Sequence, residues 1–204
     1  MHPGERFNAG SHLAGLVLAL AGTGWLLGSL WRDTDALAMG GAATFCAGSI
    51  ALLLASVGCH GTLGRVQQAW QRVDHGATFI LIAASYTPFA LAAPRHALHL
   101  IVLAGLWLAA IASAARHWFS PKAQAPSLGL YLAMGWCGVL AAAPVAARLS
   151  TAALAWLAAG AVFYSIGTAF YRRGSAMPHA HGIWHLFVVA GIASHYAAVH
   201  WLLG

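Results

Sequence analysis

Apolar runs long enough to cross a bilayer recur seven times along this chain, near residues 10–31, 37–60, 74–93, 97–118, 127–147, 151–171 and 181–203. A helix needs about 20 predominantly apolar residues to span the hydrocarbon core. Each break carries polar punctuation: "WRDTDA", "GRVQQAWQRVD", "APRHA", "SPKAQAPS", "ARLST" and "YRRGSAMPHAH" in turn. The pattern predicts an all-α integral membrane protein, a bundle of seven transmembrane helices. The links are short and leave no room for a separate soluble domain, so residues 1–204 read as one seven-helix domain. The first run reads as an uncleaved span, because further spans follow it and no convincing cleavage site stands alone. "SYTPF" at 85–89 places Pro88 near the outer end of the third span, where a kink is expected.

Composition agrees with this reading. The chain is 60% apolar and 7% charged, against about 45–50% and about 25% for an ordinary soluble domain. A net charge of +6 raises nucleic acid as a partner. The basic residues stand singly between apolar runs and form no patch, which disfavours that partner. Cys46, Cys59 and Cys137 all lie inside apolar runs, so no disulfide framework is implied.

The basic residues instead indicate topology. The side holding the N-terminus has Arg6, Arg65, Arg72, Arg116, Lys122, Arg172 and Arg173, and the other side has Arg32, Arg95 and Arg148. The positive-inside rule predicts a cytoplasmic N-terminus and an external C-terminus in a multi-pass cell (plasma or inner) membrane protein.

Against this background the polar residues stand out. Glu5, Asn8 and His12 open the first span and lie within about 60° of one another on a helix. His60 closes the second span, Asp74 opens the third, and His181 and His185 begin the seventh. Four spans therefore bring polar groups to one depth, at the cytoplasmic end. His181 and His185 are at i and i+4, which lets one helix offer two imidazoles to a single metal ion. His60 could add a third. Three histidines with an open fourth position describe a catalytic zinc site better than a structural one.

Asp74 would then hold and orient a metal-bound water and accept its proton. Ser56, one turn before His60, is a further donor to the site. His195 shares a face with His181 but lies about 15 Å beyond His185 at 1.5 Å per residue. It cannot bind the same ion, so polar packing or the lining of a cavity is expected of it.

Taken singly, a histidine at a helix end reads as interfacial or as bonded to a neighbour. That reading suits His2, His96, His99, His117, His179 and His200. Trp31, Trp70, Trp118 and Trp201 read as interfacial anchors.

Three blocks carry a likeness: "ERFNAGSH" (5–12), "SVGCH" with "VDHGATFILIAASYTPF" (56–60 and 73–89), and "HGIWHLFVVAGIASH" (181–195). In these the chain resembles the bacterial haemolysin III proteins, relatives of the progestin and adipoQ receptors that include the adiponectin receptors. The resemblance covers nearly the whole chain. It implies seven helices, a cytoplasmic N-terminus, and a zinc ion held by His60, His181 and His185 with Asp74 beside the bound water. The wider superfamily includes alkaline ceramidases, so the resemblance implies a zinc-dependent hydrolase of lipid amides or esters. Asp74-His75, and the lack of a long N-terminal domain of the receptor kind, argue against an adiponectin-receptor role.

The alternative is a non-enzymatic sensor or regulator of membrane-lipid homeostasis, or a haemolysin-like pore former, in which the zinc is structural. Membrane lipids are the expected partners in either case. A two-haem arrangement on His181 and His195 would need a similar pair on a partner helix, and neither Cys46 nor Phe89, fourteen residues from His60 and His75, supplies one. A transporter would place its polar groups at the midplane rather than at one end.

Overall fold

The computed structural model describes residues 5–92, 97–120, 127–146 and 149–204, with side chains 141–146 and Ser175 left out. Arg95, Lys122, Arg148, His2 and His96, used above for topology or read as interfacial, lie outside the described residues. The described residues are helical throughout and contain no strand. In chain order the helices are α1 (Glu5–Leu30), α2 (Ala36–Gly61), α3 (Gly64–Ala92), α4 (Ala97–Phe119), α5 (Leu128–Ala146), α6 (Thr151–Arg173) and α7 (Ala180–Leu203). Six are long and apolar enough to cross a membrane, and the apolar stretch described in α5, Leu128–Leu140, is shorter. The protein is a multi-pass membrane protein.

Local chemistry sets the helix ends. Asp35 caps α2 by accepting hydrogen bonds from the Leu37 and Ala38 amides at 2.9 and 3.1 Å, which satisfies donors that a helix start leaves bare. Ser150 caps α6 through the Ala153 amide and donates to the Trp201 carbonyl, tying the start of α6 to the end of α7. Gly64 opens α3 at φ +63, and His179 precedes α7 in the same left-handed region. Buried hydroxyls of Ser49, Thr87 and Ser194 donate back to carbonyls four residues earlier. A bilayer core, which supplies no water, requires such internal satisfaction.

Helix α3 differs from the sequence pattern at two places. It begins at Gly64, ten residues before the apolar span, and takes in the whole of the expected link "GRVQQAWQRVD". Val66, Ala69, Trp70 and Val73 recur at helical spacing there, and a stripe at that spacing supports an amphipathic helix ahead of the membrane. Trp70 packs over Gly58, so it is more than a surface anchor. Helix α3 also continues through Pro88 to Ala92. The neighbouring Thr87 hydroxyl donates to the Ala83 carbonyl and accepts from the Trp107 indole at 3.2 Å.

The helices close into a ring. Helix α1 packs between α2 and α7, α2 against α3, α3 against α4, and α6 against α7, while α5 bridges α3, α4 and α6. Small residues set the close crossings: a Cβ on Gly48 would come within 2.8 Å of the Ala84 Cβ, and one on Gly15 within 2.6 Å of Val189. Such contacts, rather than hydrophobic exclusion, hold helices together in lipid.

Candidate metal centre

Three histidines converge at one end of the bundle. His60 is in the last turn of α2, and His181 and His185 occupy the first two turns of α7. Their ring centroids are 4.6 to 5.1 Å apart. One nitrogen from each lies within 4.8 Å of the others, so the group could hold a metal ion. Small side-chain rotations would bring the three nitrogens to the roughly 2.0–2.1 Å that zinc requires.

Helix α1 orients two of these rings. The His60 Nδ1 stands 2.5 Å from the Glu5 carboxylate, which also accepts from the Asn8 amide at 2.8 Å. The His185 Nδ1 stands 3.1 Å from the Asn8 carbonyl and 3.3 Å from the Ser11 hydroxyl, and that hydroxyl in turn donates to the same carbonyl. A carbonyl and a carboxylate can only accept, so both Nδ1 atoms carry the hydrogen. Each Nε2 is then left with its lone pair free for a ligand. Metal-binding histidines are oriented by hydrogen bonds of this kind, and the donor set therefore fits a zinc ion.

Glycine lets α1 come this close. A Cβ on Gly182, between the two α7 histidines, would strike the Phe7 ring and come within 2.9 Å of the Asn8 side-chain oxygen. The "HGIWH" stretch thus combines two of the converging histidines with the small residue that seats α1 against them. His12, one turn beyond Asn8, stacks on His185 at 3.7 Å, and neither of its nitrogens has a hydrogen-bond partner. It packs the site but is not one of the converging group.

A cavity opens beside the centre between α3, α5, α6 and α7, about 1210 Å³ including its open mouth. Its walls are overwhelmingly apolar. At one end it is lined by Asp74, His12 and Trp184, the last two packed on His185. The Ser56 hydroxyl stands close to the Asp74 carboxylate without reaching direct hydrogen-bond distance. His195 lines the same cavity much deeper.

Each site residue proposed from the sequence therefore has a place. His60, His181 and His185 come together, Asp74 lines the adjoining cavity with Ser56 close to it, and His195 stays apart from the group. Among the histidines expected to be interfacial or bonded to a neighbour, His117 is buried and bonds the Ser113 carbonyl, His179 meets the Phe7 edge and His200 packs on Trp25. Sequence reasoning placed Glu5 and Asn8 at the correct depth but did not find their work. The polar face of α1 was the signal, and only the α1 crossing assigns each group a histidine.

The family model for haemolysin-III related proteins matches residues 2–196. The hemolysin-3 homolog of Bacillus subtilis (strain 168) is 31% identical over 203 residues, covering 96% of this chain and 92% of that protein. Hemolysin-3 of Bacillus cereus is 35% identical over 130 residues, 63% of this chain and 59% of the relative. The human monocyte to macrophage differentiation factor is 30% identical over 138 residues, 67% of this chain and 57% of the relative.

Proposed function

The chain belongs to the haemolysin III family, and on that premise we propose that it is a zinc-dependent hydrolase of membrane-lipid amides or esters. The observation that carries this reading is the junction of two features. Three histidines with two Nδ1 atoms tied back stand beside an apolar cavity, and Asp74 lines the end of that cavity next to them.

His60, His181 and His185 would hold the ion through their Nε2 atoms, leaving a fourth position open. When bound, zinc supplies a Lewis acid and lowers the pKa of a bound water to roughly 7. The remaining work falls to the chain's own residues. Glu5 and the Asn8 carbonyl fix the rings of His60 and His185. Asp74 takes the proton from the attacking water and returns it to the departing amine or alcohol, and Ser56 positions that carboxyl group. The cavity walls hold the hydrocarbon chain and exclude bulk water. The site faces the cytoplasm, and a lipid enters sideways from the inner leaflet.

The test is metal content and turnover on detergent-purified protein. About one zinc per chain is expected in the wild type, lost in His185→Ala and kept in Asp74→Asn. Turnover of lipid amides or esters should vanish in His185→Ala and fall by about 10²–10⁴ in Asp74→Asn. Zinc bound without hydrolysis of any amide or ester would overturn the enzymatic reading and leave the metal as a tie between α2 and α7 in a regulator.

A further inference from the structure

The cavity is apolar almost throughout, yet far from Asp74 two polar residues of α6 and α7 meet in its wall. His195 is buried, lines the cavity, and neither ring nitrogen has a hydrogen-bonded partner. Its ring lies near the Leu157 carbonyl without completing a bond to it. That carbonyl could serve only the one N–H of a neutral imidazole, which leaves the other nitrogen an acceptor without a donor. Tyr164 also lines the cavity, and its hydroxyl is buried with no partner. The two rings meet edge to face at 5.4 Å.

Two glycines create this corner. A Cβ on Gly160 of α6 would strike the His195 ring, and one on Gly191 of α7 would lie 2.6 Å from the Tyr164 ring. Each helix gives up a side chain where the other inserts an aromatic one. The aliphatic hydroxyls lining the cavity differ, because Ser85, Ser165 and Thr168 already donate to carbonyls of their own helices; the Tyr86 hydroxyl is also buried without a partner, but its ring packs on Gly138 of α5, away from this corner. Burying an unbonded imidazole or phenol is costly, so a partner is required, and the cavity is the route by which one arrives.

We propose that His195 and Tyr164 form a second polar subsite, one that hydrogen-bonds a hydroxyl carried part-way along the hydrocarbon chain of a bound lipid. A hydroxyl both donates and accepts, matching the imidazole acceptor and the phenolic O–H together. The subsite lies about 15 Å beyond His185 at 1.5 Å per residue, which an extended chain reaches about twelve carbons from its head. The ligand class is thus a single-chain lipid group hydroxylated near mid-chain. The proposal takes from the preceding reading only that the cavity holds a lipid chain.

Binding, not turnover, tests it. Purified full-length protein, loaded with zinc, would be titrated with 12-hydroxyoctadecanoic acid and octadecanoic acid in competition with a radiolabelled fatty acid. The wild type should prefer the hydroxylated chain by about tenfold or more, the value of two added hydrogen bonds. Tyr164→Phe and His195→Phe should each bring the ratio toward unity while retaining octadecanoic acid binding and one zinc per chain. Equal affinity for the two acids in the wild type would overturn the subsite and leave water as its occupant. A preference that survives both substitutions, or no binding of either acid, would overturn it as well. An absence of hydrolysis does not bear on this result, so the two readings fail separately.

Discussion

Replacing Glu5 by glutamine tests the centre at the contact that the fold alone created. The Glu5 carboxylate accepts from His60 at 2.5 Å and from Asn8 at 2.8 Å. A glutamine side chain keeps the shape and one carbonyl oxygen but loses the charge. A hydrogen bond to a charged group contributes about 1.5–3 kcal/mol, against about 0.5–1.5 kcal/mol for a neutral one. The carboxylate also raises the basicity of the imidazole that would face the metal. The Glu5 side chain is 30% exposed and that of His60 10%, so screening by water is partial and the lower half of the difference applies. Loss of partners of this kind typically costs 10–100-fold in metal affinity, about 1.4–2.7 kcal/mol. We expect Glu5→Gln to weaken zinc by about tenfold to thirtyfold, near the lower half of that range. Competition against chelators of graded affinity on purified protein reads this directly. Asn8→Ala retains the backbone carbonyl that holds His185 and should cost less. Wild-type zinc affinity in Glu5→Gln, alongside complete loss in His185→Ala, would show that α1 does not orient the ligands.

Three further predictions rest on other parts of the molecule. Gly48→Ala should lower detergent stability by about 1–3 kcal/mol, since its Cβ meets the rigid Ala84 Cβ at 2.8 Å. Tyr196→Phe, which loses contacts to the Thr23 hydroxyl and the Ala19 carbonyl, should cost only about 0.6 kcal/mol; thermal melts that reverse this order would refute the packing argument. Chelation should lower the melting temperature of the wild type, because a ligand at a hundred times its Kd adds about 2.7 kcal/mol; His185→Ala should melt at the same temperature with or without chelator. A phosphatase fused after Gly204 should be active outside the cell, and activity of a cytoplasmic reporter there instead would reverse the topology.

The helical content and the histidine trio were legible for the same reason: both are local. Spans follow from the length of apolar runs, and the pair His181–His185 follows from the pitch of one helix. His60 joined them because a helix end fixes its depth. The early start of α3 was also written in the chain, in the Val66–Trp70–Val73 spacing, but basic and glutamine residues around it concealed a helix that lies outside the apolar span.

The rest depended on how the helices are rotated and how closely they cross, which a membrane chain encodes weakly. Its helices are apolar on nearly every face, since lipid and neighbouring helix are alike in polarity. The sequence by itself therefore determined seven apolar helices, six of them long enough to cross a membrane, and a polar layer at one end containing three histidines. Tertiary structure alone decided that Glu5 would hold His60 and that the Asn8 carbonyl would hold His185, because Gly182 lets α1 sink onto α7. It likewise decided that His195 and Tyr164, 31 positions apart in the sequence, would meet in one cavity wall, because Gly160 and Gly191 leave room where the two rings insert.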